Sequence, residues 1–317
     1  AVLSPFPADA PQDRLGLARW LTSPDHPLLA RVTVNRYWQM IFGRGLVSTS
    51  EDFGMQGKPP SHPELLDWLS RDFVKSGWNL HHLLKKMVLS HTYRQQSKIL
   101  PNAQEIDPEN LLLSRAPAYR LPAEMIRDSL LAHSGLLHKK IGGPGAKPYD
   151  LKVSFKPINP DGAPNVYRRS VYTFWKRTGP TPVMMALDAS KRDVCTVRRE
   201  RTDSASQALI MLNGTQFVET ARATADILIQ NHGTTNPNDL IQEAFKKLTS
   251  RSPSEQESKI LQNLLEEQKK YFTDDKETEK FLKVGYYQAK AEDKKYLAAV
   301  TSLVSTLMNF DGTLSKR

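Results

Sequence analysis

Four groups of residues in this sequence carry side chains that could do chemistry. The first lies in RVTVNRYWQMIFGRGLVSTSEDFG, from Arg31 to Gly54. Arg31 and Asn35 are four apart and share a helix face that Trp38 and Gln39 continue, while Arg36 lies about 100° round the helix. A guanidinium fork, an amide and an indole along one face can hold a carboxylate, a sulfate or sugar hydroxyls. The same residues can instead form a buried polar network tying the helix to an acidic loop at Glu51 and Asp52. The second group is Glu124, Arg127 and Asp128. Glu124 and Asp128 share a face at i,i+4, a spacing that suits acid–base or metal chemistry; Arg127 between them suits an ion-pair network. The third group is the histidines. His62 sits in a helix start, His81 and His82 point apart, and His91 and His133 are isolated, so no metal motif forms and no metal is expected. The fourth runs from Asp188 to Gln207. Cys195 there lies close to Arg192, Arg198, Arg199 and Arg201, a positive field that would lower a thiol pKa and favour a thiolate. A buried, inert cysteine is the alternative, with the arginines serving an anionic ligand.

The elements that must position these groups read as helices. Asp13 caps DRLGLARWLTS, whose apolar face would be Leu15, Leu17, Ala18 and Leu21. Pro27 suits the first turn of the helix carrying Arg31, and Gly43 its end. Ser61 and Glu64 read as a capping box for a helix bearing Leu65, Leu66, Trp68, Leu69 and Phe73. LHHLLKKMVLSHTYRQQ follows, with a stripe of Leu80, Leu83, Leu84, Met87 and Val88. Pro122 opens AEMIRDSLLAHSG, with Met125, Ile126, Leu130 and Leu131 inward. From Lys139 to Arg201 glycines and prolines deny long helices, and Ser170–Trp175 reads as a short β-segment. Ser204 with Gln207, and Ser252 with Glu255, read as further capping boxes. A helix over 216–230, a cap at Asn238 and an apolar helix YLAAVTSLVSTLMNF complete the count at roughly ten. Thr273–Lys295 reads as charged and solvated.

The expectation is an all-α, multi-helix domain with a long irregular central segment carrying one or two short strands. Residues 1–12 read as a linker. Residues 13–317 form one helical domain, or two subdomains, 13–138 and 202–317, joined by 139–201. At 317 residues the chain can bury a sizeable core. A net charge of +10 permits nucleic acid, anionic lipid or acidic polysaccharide without choosing among them. The cations are scattered, and no helix-turn-helix, zinc site or aromatic RNA-binding pattern supports a nucleic-acid partner. No apolar run approaches a membrane span. The single cysteine excludes an internal disulfide and any CxxCH, so this chain by itself is not expected to attach a c-type haem. The chain begins at Ala1 without a leader, and the expectation is a piece or processed form whose targeting signal lies upstream.

LARWLTSPDHPLLARVTVNRYWQMIFGRGLVSTSEDFG, SHPELLDWLSRDFVKSGWNL, RLPAEMIRDSLLAHSGLL, RRSVYTFWKRT and CTVRRERTDSASQALIMLNGTQFVE together resemble the planctomycete surface-protein domain known as domain of unknown function 1553. Relatives usually have Thr-Pro where this chain has Ser204-Ala205. The resemblance implies the C-terminal part of a larger exported protein, in an extracytoplasmic or cell-surface setting. It also implies upstream partner domains, one of them cytochrome c-like, and relatives that carry carbohydrate-binding modules. It assigns no reaction.

Two functions follow as expectations. One is a binding or assembly module for a partner domain or an anionic glycan, using Arg31, Asn35, Arg36, Trp38, Arg127, Arg198 and Arg199. The other is an enzyme acting on polysaccharide, or on a substrate oxidised through a partner cytochrome. Its acid–base cleft would be formed by Asp52, His62, Glu124 and Asp128, with Cys195 as a further candidate. An enzyme requires those side chains to meet with at least one carboxylate unpaired, and the balance for this chain alone lies with binding.

Overall fold

A computed structural model describes the chain except Ala1, Val2, Ser4, Leu100, Ser154, Phe155, Lys156, Thr178, Thr235 and Arg317. Part of the expected linker over 1–12 therefore lies outside the described residues. The fold is all-α, with fifteen α-helices among the described residues and a sheet of two two-residue strands. Contacts divide it into two units, Ala1–Tyr119 and Arg120–Lys316, so the irregular segment 139–201 lies inside the second.

The first unit holds α1 (Arg14–Leu21), α2 (Leu29–Phe42), α3 (Pro63–Lys75), α4 (Leu80–Leu89), α5 (His91–Arg94) and α6 (Pro101–Ile106), and reaches strand β1 (Tyr119–Arg120). Val34, Trp38 and Phe42 fall four apart on α2 and meet Leu66, Leu69 and Phe73 of α3 and Leu83 and Met87 of α4. The Trp38 and Phe42 rings stack at 4.0 Å. Gly43 ends α2 at φ 81°, a left-handed conformation; a Cβ there would also press to 2.7 Å from the Tyr119 ring.

The second unit holds α7 (Ala123–His133), α8 (Pro182–Ala186), α9 (Ala205–Asn213), α10 (Thr215–His232), α11 (Pro237–Thr249), α12 (Glu255–Tyr271), α13 (Asp275–Leu282), α14 (Lys294–Met308), α15 (Asp311–Leu314) and β2 (Ser315–Lys316). Its core centres on α10 against α14. Ala221, Ala225 and Leu228 meet Ala298, Ala299, Leu303 and Val304 there, all fully buried. Alanines at the crossing let the two backbones approach, and each fully buried leucine contributes about 1.5–3 kcal/mol.

Three charged residues of α10 are buried as well: Glu219, Arg222 and Asp226. Spaced i, i+3, i+7, they share the helix face covered by the segment from Val284 to Ala291. Glu219 accepts from the Tyr149 and Tyr167 hydroxyls and from the Tyr286 and Tyr287 N–H groups. Arg222 donates to the Val284 and Tyr287 carbonyls. Asp226 accepts from the Tyr287 hydroxyl and from Lys290 and Ala291 N–H. Gly285 passes so close that a Cβ would lie 2.2 Å from the Glu219 carboxyl.

Several expectations are corrected. Thr273–Lys295 is not simply solvated: it contains α13, with buried Thr278 and Leu282, and the strap over α10. Among the described residues the strands lie at 119–120 and 315–316; the irregular segment takes part only in isolated bridges, His138–Arg168 and Ala146–Thr173, and Ser170–Tyr172 is a 3-10 turn. His62, not Ser61, precedes α3 without a side-chain cap, and the Ser61 hydroxyl bonds the His62 ring instead. Ser204 caps α9 from one side only, because Gln207 turns its amide to Asp188 and Thr202. The capping box of α12 is Ser254 with Glu257, two residues later than expected, and α11 begins at Pro237 rather than after Asn238. Ser90 divides the helix expected over 80–96. Leu15, Leu17, Trp68, Val88 and Met125 are exposed rather than core.

Candidate functional site

In the first unit the α2 residues are spent on structure. Arg31 pairs with Asp67 at 2.6 Å and also donates to the Pro27 carbonyl. Asn35 is buried; its carbonyl accepts from Val47 N–H at 2.8 Å and its amide donates to the Val47 carbonyl at 3.0 Å. Gln39 accepts from the Ser50 hydroxyl. The network therefore ties α2 to the backbone of the 47–50 turn, not to the carboxylates of Glu51 and Asp52. Trp38 is a core residue, 6% exposed and stacked on Phe42, rather than an open stacking surface beside Arg31. Arg36 is exposed. Asp52 accepts from Gly54 N–H and so closes its own turn.

In the second unit Arg127 is buried and fully used. It donates to Gln216, to the Arg168 and Val166 carbonyls and to the Ser170 hydroxyl. Burial disfavours its charge, and Asp128 and Asp150 supply the opposing fields. Asp128 accepts from Ser170 N–H and hydroxyl at 2.8 and 2.7 Å. Glu124 pairs with Arg199 at 2.7 Å. The acid–base candidates thus fall in different units: Asp52 and His62 in the first, Glu124 and Asp128 in the second. Each of the three carboxylates is engaged within its own unit. Among the described residues no group of three or more His, Cys, Asp or Glu is arranged to hold a metal ion.

The arginine-rich loop is the group the fold leaves open. Residues 191–200 are exposed without interruption. The loop is nonetheless pinned at its neck: Asp188 accepts from the Thr202 N–H and hydroxyl, both at 2.7 Å, and from the Gln207 amide. Arg192 lies over the Trp175 ring at 4.8 Å, Arg199 is tied to Glu124, and Arg120 pairs with Asp203 just beyond the neck. A loop closed at its base and braced on both arms presents its outer side chains in a restricted set of positions. Lys191, Arg192, Arg198, Arg199 and Arg201 outnumber Asp193 and Glu200. Cys195 is exposed on the same loop, against the reading of a buried small hydrophobe. The brace from Trp175 and the closing role of Asp188 were not legible in the sequence. An aspartate and a threonine fourteen apart, flanking a basic run, are the available signal.

No curated protein and no solved structure matches the chain. A family described as "PSD1: Protein of unknown function (DUF1553)" matches over residues 13–265, from the Asp13 cap of α1 to Leu265 within α12. That span covers most of the 317 residues and contains both the α2 network and the arginine loop, and on it the chain belongs to this family of unknown function.

Proposed function

We propose that the chain is a binding and assembly module that docks on a polyanionic surface through the loop from Asp188 to Thr202. The observation that carries this reading is the braced, continuously exposed basic stretch 191–200. Guanidinium groups held apart on a fixed frame match the repeated sulfates or carboxylates of an acidic polysaccharide, and an acidic face of a neighbouring domain offers the same chemistry. The family resemblance supports an extracytoplasmic, cell-surface setting within a larger protein, with any haem on an upstream module. Acid–base catalysis is the less favoured reading, because Asp52, Glu124 and Asp128 each have a structural partner. Among the described residues no helix is long and apolar enough to cross a membrane.

Retention on a sulfated-dextran column tests the proposal. Arg198→Ala with Arg199→Ala should elute at markedly lower salt than the parent. Arg14→Ala with Arg36→Ala removes the same charge from exposed positions of the other unit and should elute nearly as the parent does. Equal shifts from both pairs would reduce the effect to net charge and refute the loop.

A further inference from the structure

The first unit contains a cleft of about 400 Å³ that the arginine loop has no part in. One set of lining residues comes from α2 and the turn after it, Trp38, Phe42 and Leu46; the other comes from the loop leading to β1, Leu111, Leu113 and Tyr119. That volume lies in the range of small-molecule sites, and apolar rings and chains of this kind suit an apolar body.

The loop wall is rigidly built. The Asp107 carboxylate accepts from Leu111 and Leu112 N–H, both at 2.8 Å. Arg115 donates to the Asp107 and Pro108 carbonyls, and Asn110 donates back to the Arg115 carbonyl. The Tyr119 hydroxyl donates to the Ile41 carbonyl at 3.0 Å, which fixes the loop against the end of α2. Asp107 and Arg115 are therefore committed to holding the loop. A second pair lies outside that scaffold. Arg44, on the turn after α2, is paired with Glu109 on the loop, and both line the cleft. Their side chains are 41% and 62% exposed, and an ion pair this wet contributes little to stability. Lys58 adds a second positive field at Glu109.

We infer that this cleft binds a carboxylate carried on an apolar body, the ligand's carboxylate replacing Glu109 on the Arg44 guanidinium while its ring or alkyl chain enters between Phe42 and Leu111. Glu109 then acts as a built-in competitor, released to solvent when the ligand binds. Arg44 offers a planar fork that takes a carboxylate through two hydrogen bonds, and Arg44 with Lys58 outweighs Glu109 in charge. The carboxylate can belong to a free aromatic acid or to the C-terminus of a peptide ending in an apolar residue.

The test is an NMR titration of the whole chain with two probes, 4-phenylbutyrate and N-acetylphenylalanine, each beside its primary amide. Ligands of this size should bind saturably at roughly millimolar concentration. The acid of the preferred source should bind about tenfold tighter than its amide. Arg44→Gln should abolish the difference between acid and amide. Glu109→Gln should tighten acid binding several-fold, a gain that misfolding cannot produce. Equal binding of acid and amide, weaker binding by Glu109→Gln, or no saturable binding of either acid would overturn the inference.

Discussion

Glu219, Arg222 and Asp226 tie α10 of the second unit to the segment 284–291 that covers it. Each is a charge taken out of water, and each is compensated by donors or acceptors from chain segments some 50 to 70 residues away in sequence. Burial works against the charged form of Asp226, but the Tyr287 hydroxyl and the two backbone N–H groups outweigh it and hold the carboxyl below its ordinary value of 3.8. Burial, with Asp226 beside it, pushes the Tyr287 phenol up, so it stays a donor. A depressed acid stabilises the fold fully above its unfolded pKa and loses that contribution as pH falls through the folded value. Asp226→Asn should therefore lower the midpoint of thermal unfolding at pH 7, and the gap from the parent should narrow below about pH 4. A gap constant from pH 7 to pH 3 would deny the carboxylate this role. The i, i+3, i+7 spacing of three charges on an otherwise apolar helix is visible in the sequence. Their partners are not, because Tyr149, Tyr167 and the strap are chosen by tertiary packing.

Among the elements, the helices are the most legible part, since apolar residues at helical spacing and the Gly43 stop carry local physics. Their starts are less legible. A hydroxyl caps only from an extended residue directly before the first turn, and around 252–257 two serines and two glutamates offer two registers. Ser254 with Glu257 wins, and Arg251 bonds the Glu257 carboxylate as well and helps hold its pKa down to about 2. Side chains are harder still to place: Trp68 and Met125 fit apolar stripes by spacing, yet both are exposed. The join between α2 and its following turn offers the clearest test at this scale. Asn35→Ala strips the buried Val47 N–H of its acceptor and should destabilise the first unit by about 2–3 kcal/mol, with faster hydrogen exchange at Val47. Unchanged exchange at Val47 would show that the network does not hold the turn.

At the scale of the whole chain, a net charge of +10 gives an attraction for polyanions that any basic protein would share. The arginine loop supplies what net charge lacks, a fixed cluster. Composition alone marks that cluster in the sequence. It does not show that the run is exposed, that Cys195 is exposed with it, or that Asp188 and Trp175 brace it, since all of these follow from packing of distant segments. Nor can it separate Arg127, whose guanidinium is buried in backbone carbonyls, from Arg198, which stands on the surface. The most direct measurement is the dissociation constant for a defined sulfated oligosaccharide across a salt series, for the parent and for Arg198→Ala with Arg199→Ala. Docking through the loop predicts weaker binding and a log–log salt slope smaller by about one to two for the variant. An unchanged slope with unchanged affinity would contradict it.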